Sequence, residues 1–327
     1  MRRAVITGVG PVAPSGIGIE AFWQGLTSGR SSVGRITLFD PSPFRSQMAG
    51  EVQNFTPADF IETKRLKRME RYSQFAVSAA HLAIADAALE PEHEDRERIG
   101  VSIGTALGGL GYAELQVGLF NAGGLRPVDP MLALLVFGGA GSCNIAITFG
   151  LSGPTSANSN SCASGTIAFG QALEWIRNDQ ADMVLAGGAE APLAPLCYGA
   201  FTILRAMSSR NEEPERASRP FDAGRDGFVM GEGAAMLVVE ELAHALARDA
   251  HIYGEIAGYA LTNDGHHMTA PLPDGTQAAR AMKLALRDAG TPPDAIDYIN
   301  AHGSATPLND RTETLAIKRI FGERAYT

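Results

Sequence analysis

The chain has 327 residues, of which 45% are hydrophobic and 19% are charged, and its formal net charge is −9. This length allows one large domain or two fused halves with a sizeable core. The negative charge argues against general nucleic-acid binding, and no apolar run reaches the roughly 18 residues that a membrane-spanning helix needs. The first residues reach glycine and proline too soon for a signal peptide.

The first 249 residues alternate short apolar runs with helical patterns. Strands are predicted at Ala4–Val9, Ile99–Gly104, Thr155–Ser161, Asp182–Gly187 and Ala234–Val239. Helices are predicted at Glu20–Ser28, Thr63–Leu89, Pro130–Phe149 and Ala163–Asn178. This alternation is typical of βαβ units, so it predicts an α/β fold with mostly parallel sheets covered by helices.

The pattern restarts after Asp249. Strands are predicted at His251–Leu261 and Ile296–Ala301, and helices at Thr276–Ala289 and Asp310–Phe321. Both parts contain an alanine-rich helix, a polar linker, a short apolar strand and a loop of small residues. We therefore expect two duplicated halves, residues 1–249 and 250–327. Because the second has fewer strands than the first, we expect an incomplete second half, in a fragment or one part of a split protein.

Three cysteines, Cys143, Cys162 and Cys197, are spread along the chain. Their number and spacing predict a reducing compartment, the cytoplasm, and no disulfide framework. Cys143 and Cys197 have apolar neighbours, so we expect both to be small buried side chains.

Cys162 has a different setting, because it stands between a predicted strand and a predicted helix. A thiol at a helix N-terminus loses its proton more readily, and the thiolate is the nucleophile. The N–H groups of the first turn could also hold a developing oxyanion. The hydrolase motif GxSxG is absent, since position 160 is Asn. A buried structural cysteine in a turn remains the alternative.

A second candidate is His302, which follows the predicted strand Ile296–Ala301 and precedes glycine and small hydroxyl residues. Loops at the carboxyl ends of strands form the site in doubly wound sheets. If the halves are related by a pseudo-twofold, the Cys162 and His302 loops should meet. A histidine with a purely structural hydrogen bond is the alternative.

Other sites have less support. Asp264, His266 and His267 could suggest a metal site, but no further ligand stands at a recognisable spacing, so we expect no metal. The loop Gly108–Gly111 lacks the GxxxxGK[ST] pattern of a phosphate-binding loop. Cys162 lies too deep in the chain for a papain-like protease.

Five motifs occur in the same order as in one enzyme family. They are SNSCASG around Cys162, ADMVLAGGAEAP at 181–192, SRPFDAGRDGFVMGEGA at 218–234, HHMTAP at 266–271 and NAHGSATPLND at 300–310. In these the chain resembles the elongating β-ketoacyl-[acyl-carrier-protein] synthases, in the synthase II branch or among type II polyketide ketosynthases. The resemblance implies a thiolase-like fold of layered α/β halves.

The resemblance also implies an activity and residue roles. Cys162 would accept an acyl group, and His302 would assist the decarboxylation of malonyl-carrier, whose carbanion then attacks the acyl-cysteine. Hydroxyl groups near the pantetheine arm would come from Thr269, Ser304 and Thr306. Leu107 and Phe201 would line the acyl pocket. No cofactor is implied beyond the phosphopantetheine of the acyl carrier protein.

Further expectations concern partners. The basic segment Thr63–Arg71 carries Lys64, Arg65, Lys67, Arg68 and Arg71. In the family such a patch docks the acidic carrier, although a solvated helix start is the alternative reading. A homodimer is implied, or a heterodimer in a polyketide system, with no nucleic acid and no membrane.

The resemblance also places the family's KSxxGH segment and late glycine-rich loop after Thr327, so we expect this chain to condense poorly by itself. The alternative function is an inactive fragment or a non-catalytic subunit like a chain-length factor. Cys162 argues against the latter, because chain-length factors lack the reactive cysteine.

Overall fold

The computed structural model describes residues 1–326. The strands are β1 (Ala4–Ala13), β2 (Gly16–Ile17), β3 (Gly34–Arg35), β4 (Met48–Ala49), β5 (Ile99–Gly104), β6 (Thr155–Asn158), β7 (Met183–Glu190), β8 (Gly233–Glu241) and β9 (Gly254–Glu255). The helices are α1 (Ile19–Thr27), α2 (Thr63–Leu66), α3 (Arg71–Asp86), α4 (Leu110–Gly123), α5 (Leu132–Leu135), α6 (Ala140–Phe149), α7 (Ser164–Arg177), α8 (Pro195–Ile203), α9 (Leu242–Ala247), α10 (Thr276–Asp288) and α11 (Pro307–Phe321). No helix in this range is long and apolar enough to cross a membrane.

One mixed sheet organises the fold. Its strand order is β2-β1-β8-β7-β5-β6, and β9 pairs with β1. β5 is parallel to β6 and β7, whereas β8 is antiparallel to both β7 and β1. The prediction of mostly parallel sheets is therefore wrong. Residues 191–232 connect β7 to β8 and return the chain to the same end of the sheet, which reverses the strand direction.

The central strands are buried on both faces. Met183 and Leu185 pack with α3 in one core cluster, whereas Val184 and Ala186 pack with α7 in another. Successive residues of a strand point to opposite faces, so each strand supplies both clusters. Continuous apolar runs such as that of β7 are typical of strands covered by helices on both sides.

The close contact between β1 and α3 depends on glycine. A Cβ atom on Gly10 would lie 1.9 Å from the carbonyl oxygen of Ala79, and one on Gly8 would lie 2.2 Å from that of Ala83. Both obstacles are helix backbone, which cannot move aside as a flexible side chain can. These two glycines therefore set how near α3 approaches the sheet.

Two predicted helices are each divided in the structure. Thr63–Leu89 is interrupted between α2 and α3, where Glu70 accepts hydrogen bonds from the N–H groups of Tyr72 and Ser73 and so caps α3. Pro130–Phe149 is interrupted between α5 and α6, near two consecutive glycines. This second region is only partly buried, since Ile147 is 62% exposed.

Several strands are shorter than predicted. The strand expected at Thr155–Ser161 ends at Asn158, and that at His251–Leu261 is reduced to β9. Ile296–Ala301 is extended but not a strand, because none of the strands in residues 1–326 pairs with it. The carbonyls of Asp294 and Ile296 instead accept hydrogen bonds from Arg324. By contrast, β5 has the predicted bounds and α10 differs by one residue.

We expect Gly10→Ala to lower the free energy of unfolding by about 1–3 kcal/mol, because the new methyl group would push α3 away from the sheet. Gly34→Ala is the matched control, since a Cβ there would meet no atom within 4 Å. Urea denaturation of both variants measures the effect. An equal loss in the two variants would contradict the packing argument.

Candidate active site

The side chain of Cys162 stands on a single turn between β6 and α7. This turn, Ser161–Ala163, is a 3₁₀ helix, and Ser161 before the cysteine has a positive φ of 52°. α7 begins at Ser164, so Cys162 lies beside the helix N-terminus. The cysteine is exposed, and a Cβ atom on nearby Gly165 would meet nothing within 4 Å. The thiol is therefore accessible and next to an open space.

Cys162 and His302 come together although 140 positions separate them in the chain. A hydrogen bond to His302 and the charge of its imidazolium hold the pKa of the Cys162 thiol below its usual range, against the effects of burial and of Glu190. The same hydrogen bond to Cys162 raises the pKa of His302. Opposite shifts in a thiol and an imidazole favour a thiolate–imidazolium pair, which is the nucleophilic form of cysteine.

Glu313 of α11 holds the His302 loop, and Asp310 of the same helix binds the neighbouring Phe221–Arg225 segment. Glu313 accepts hydrogen bonds from the backbone N–H groups of His302 at 2.7 Å and Gly303 at 2.9 Å. Asp310 is buried, accepts from the N–H of Phe221 at 2.6 Å and lies 3.4 Å from Arg225. Both carboxylates also help to raise the pKa of His302. Sequence reasoning gave neither a role, although their i, i+3 spacing directly after the histidine loop was a usable signal.

Three hydroxyl residues were predicted to contact the pantetheine arm. Ser304 and Thr306 follow His302, and their hydroxyl oxygens lie 3.1 Å apart. Thr306 also caps α11 by accepting from the N–H of Asn309. Thr269 lies in an exposed loop, where its own N–H donates to Nδ1 of His267 at 3.1 Å. Two of the three are therefore placed on the histidine loop itself.

The two residues predicted to line the acyl pocket are both half-buried. Leu107 lies in the turn that follows β5, where its N–H donates to the carboxylate of Glu190. Phe201 lies on α8 and packs edge-to-face against Phe228, with ring centroids 6.0 Å apart. Glu190 is a further residue of this region that sequence reasoning missed, although it stands inside one of the quoted motifs.

The basic segment contains several exposed cations and one arginine that already pairs with a carboxylate of this chain. Lys64, Lys67 and Arg68 are exposed, and Arg65 donates to the hydroxyl of Thr148. Arg71, in contrast, makes two hydrogen bonds to Glu232, at 2.7 and 2.6 Å.

The other two cysteines differ from each other in exposure. Cys197 is buried as predicted, whereas Cys143 is exposed, so the prediction that it is buried is wrong.

We expect His302→Ala to raise the pKa of the Cys162 thiol, because the hydrogen bond and the positive charge that lower it would both be lost. The rate of iodoacetamide addition to Cys162, followed against pH by peptide mass spectrometry, should therefore rise at higher pH than in the unchanged chain. Both proteins should carry Cys143→Ser, since that exposed thiol would also react. Identical pH profiles would show that His302 does not act on the thiol.

Comparisons with known proteins identify the family of the chain. The β-ketoacyl synthase N-terminal and C-terminal domain profiles match residues 1–245 and 253–327. The 3-oxoacyl-[acyl-carrier-protein] synthase 2 of Synechocystis sp. is 45% identical over 325 residues, which are 99% of this chain and 78% of that protein. A putative polyketide beta-ketoacyl synthase 1 of Streptomyces halstedii is 44% identical over 331 residues, with the same coverage.

Solved structures show the same fold. A type II polyketide ketosynthase in complex with its acyl-carrier protein superimposes with a TM-score of 0.89 at 38% identity, covering 98% of this chain and 78% of that one. The ishigamide ketosynthase/chain length factor gives 0.92 at 36% identity, with equal coverage. The predicted thiolase-like α/β fold is thus confirmed, and the chain belongs to the β-ketoacyl synthase family.

Proposed function

We propose that this protein joins a malonyl unit to an acyl group held on Cys162 and releases 3-oxoacyl-[acyl-carrier-protein], in fatty-acid or polyketide elongation. The observation that carries the proposal is the pairing of Cys162 with His302 beside the N-terminus of α7, where each residue shifts the pKa of the other. The homologous synthases of both pathways give the same reaction class.

In the first half-reaction, the thiolate of Cys162 attacks the carbonyl carbon of the acyl-carrier thioester. The oxyanion that forms can be stabilised by N–H groups at the start of α7, which have no partner within the helix. Collapse of this intermediate breaks the carbon–sulfur bond to the carrier. The pantetheine thiol leaves after taking up a proton, and the acyl group stays on Cys162.

In the second half-reaction, malonyl-carrier loses carbon dioxide, and the electrons of the broken carbon–carbon bond form an enolate. His302 can stabilise the enolate oxygen by donating a hydrogen bond. The carbanion carbon attacks the acyl carbonyl, the new carbon–carbon bond forms and the sulfur of Cys162 leaves. The product is two carbons longer, and no redox cofactor or metal takes part in these steps.

The substrates would be held by their phosphopantetheine arm. We assign Ser304 and Thr306 to this arm, because they lie directly beside His302, and Thr269 as a third contact from its exposed loop. Leu107 and Phe201 are assigned to the acyl chain. The enzyme would need no cofactor of its own, and its free cysteines fit a cytoplasmic setting.

The acyl carrier protein would dock on Lys64, Arg65, Lys67 and Arg68. These cations stand out on a protein with a net charge of −9, and one structural relative is a ketosynthase in complex with its carrier. Charge complementarity mainly accelerates the encounter of two proteins. Arg71 contributes less to docking in this proposal, because its guanidinium already pairs with Glu232.

A dimer is also proposed, as a homodimer or, in a polyketide system, a heterodimer. β6 forms one edge of the sheet, so its outer backbone groups have no strand beside them in residues 1–326. Ile147 is exposed on α6, the helix that packs beside β6, and Leu115, Val117 and Phe120 are exposed on α4. An exposed edge beside apolar surface is typical of an interface.

A non-catalytic subunit similar to a chain-length factor is the second candidate function. It is less well supported, because both Cys162 and its partner His302 are present and interact.

Acylation should occur on Cys162. After incubation with an acyl-carrier thioester or with cerulenin, peptide mass spectrometry should find the added mass on Cys162 and not on Cys143 or Cys197. Cys162→Ala should abolish the adduct, whereas Cys143→Ser should leave it unchanged. An adduct on either of the other cysteines would overturn the assignment of the nucleophile.

Charge reversal of the docking surface should slow transfer from the carrier. We expect Lys67→Glu with Arg68→Glu to lower the rate of acyl transfer from carrier thioesters, more at low salt than at high salt, because the attraction is electrostatic. Transfer from a small thioester without a carrier should hardly change. The matched control is Arg280→Glu with Lys283→Glu, two exposed cations of α10. Equal slowing with both donors, or in both variants, would count against docking here.

A further inference from the structure

Glu190 is the last residue of β7, and its carboxylate holds the turn that follows β5. It accepts hydrogen bonds from the N–H of Ala106 at 2.5 Å, the N–H of Leu107 at 3.2 Å and the hydroxyl of Thr105 at 3.2 Å. Bonds from N–H groups to a carboxylate are stronger than those between neutral groups. The position of Leu107 therefore depends directly on Glu190.

The same turn is fixed from its other side. Thr105 donates its N–H to the carbonyl of Asn158, at the end of β6, and its hydroxyl accepts from the N–H of Gly108 at 3.0 Å. Asn158 in turn donates its side-chain amide to the carbonyl of Ser164, the first residue of α7. A short chain of hydrogen bonds thus connects Glu190 to the helix start beside Cys162.

A cavity of about 350 Å³ is lined in part by the segments that follow Leu107 and Glu190. Its lining includes Gly111, Tyr112 and Leu115 of α4, which follow Leu107 in the chain, and Ala191 and Leu193, which follow Glu190. The segment that follows Leu107 and the segment that follows Glu190 therefore both form walls of the cavity. A shift of the turn that Glu190 holds would therefore move residues that line this space.

Glu190 also acts on the nucleophile through its charge. The carboxylate raises the pKa of the Cys162 thiol and opposes the lowering effect of His302, the other charged group that acts directly on this sulfur. Burial raises the pKa of Glu190 itself, while its bonds to the turn oppose that rise. The charge of Glu190 also contributes to the raised pKa of Glu70. Glu313 and Asp310 contribute to the raised pKa of His302.

We propose that Glu190 is a positioning residue that holds the Leu107 turn, so that it determines which acyl chains Cys162 accepts. The proposal rests on the proposed function, since it needs an acyl group on Cys162. The effect of the Glu190 charge on the thiol is a separate readout that can be measured without any substrate.

Two substitutions separate the hydrogen bonds of Glu190 to the turn from the effect of its charge. Glu190→Gln removes the charge and turns an N–H₂ donor toward a turn that offers only donors. Glu190→Asp keeps the charge but withdraws it from the turn by one methylene. Glu51→Gln is the matched control, because buried Glu51 makes the same kind of clamp elsewhere, accepting from the N–H groups of Thr37 at 2.8 Å and Leu38 at 3.1 Å.

The first measurement is the pH dependence of iodoacetamide addition to Cys162, in a Cys143→Ser background. We expect Glu190→Gln to shift the profile to lower pH, because a negative charge that opposes the thiolate is lost. Glu190→Asp and Glu51→Gln should keep the unchanged profile. If the Glu190→Gln profile coincides with that of Glu51→Gln, the charge of Glu190 does not act on the thiol.

The second measurement is the rate of Cys162 acylation from short and long acyl-carrier thioesters. We expect both Glu190 variants to change the ratio of the two rates by about threefold or more, since pocket contacts of one methylene discriminate on this scale. An unchanged ratio in Glu190→Asp overturns the positioning role, even if Glu190→Gln fails to fold. If no thioester acylates Cys162 in the unchanged chain, the proposed function fails instead, while the alkylation profiles still test the charge.

Discussion

The site depends on a contact between two backbones that only glycine allows. A Cβ atom on Gly104, the last residue of β5, would lie 2.2 Å from the carbonyl carbon of Ser164 and 2.5 Å from the nitrogen of Gly165. The first turn of α7 can therefore rest directly on the end of the sheet. Because α7 starts there, the turn before it carries Cys162 over the strand ends, where the free N–H groups of the helix and the His302 loop both reach it. Gly188 of β7 is less constrained, since its Cβ would lie 3.5 Å from the Cα of Gly165, an ordinary contact distance.

Carboxylates hold the loops around this contact. Glu190 binds backbone N–H groups of the Leu107 turn, and Glu313 binds those of His302 and Gly303. Such bonds fix a loop without a regular ladder, which suits segments that must leave a space for substrate. The charge of Glu190 is unfavourable for the nucleophile, because negative charge raises the pKa of a thiol. His302 offsets this effect, and Glu313 and Asp310 assist by favouring its protonated form.

The sequence predicted the central elements best where local pattern and tertiary pairing agree. β5 has an uninterrupted apolar run and two partner strands, and α10 has a clear amphipathic pattern, so both were placed correctly. Strand direction was not predictable in the same way, because the long connection before β8 carries no local sign of which end of the sheet it reaches. Ile296–Ala301 has strand-like residues, but pairing depends on a neighbour and not on propensity.

The candidate site was likewise predictable only in part. The turn at Cys162 and the histidine loop were visible as motifs, because each needs small residues at fixed positions. The pairing of Arg71 with Glu232 could not be predicted, because the two residues are 161 positions apart and no local pattern indicates their contact. Glu190 and Glu313 were missed for a related reason. Their role is to bind backbone N–H groups of other segments, and a carboxylate in the sequence does not show which amides it will meet.

In the proposed reaction, acylation would change His302 as well as Cys162. The hydrogen bond and charge of the thiolate are the main causes of the raised pKa of His302, and a thioester sulfur carries no charge. The pKa of His302 should therefore fall once the acyl group is in place, and burial favours the neutral ring further. Glu313 and Asp310 act in the opposite direction and remain unchanged through the step. These two carboxylates thus favour an imidazole that keeps a proton to donate to the enolate oxygen, and Glu313, which holds the loop, also prepares it for the second half-reaction.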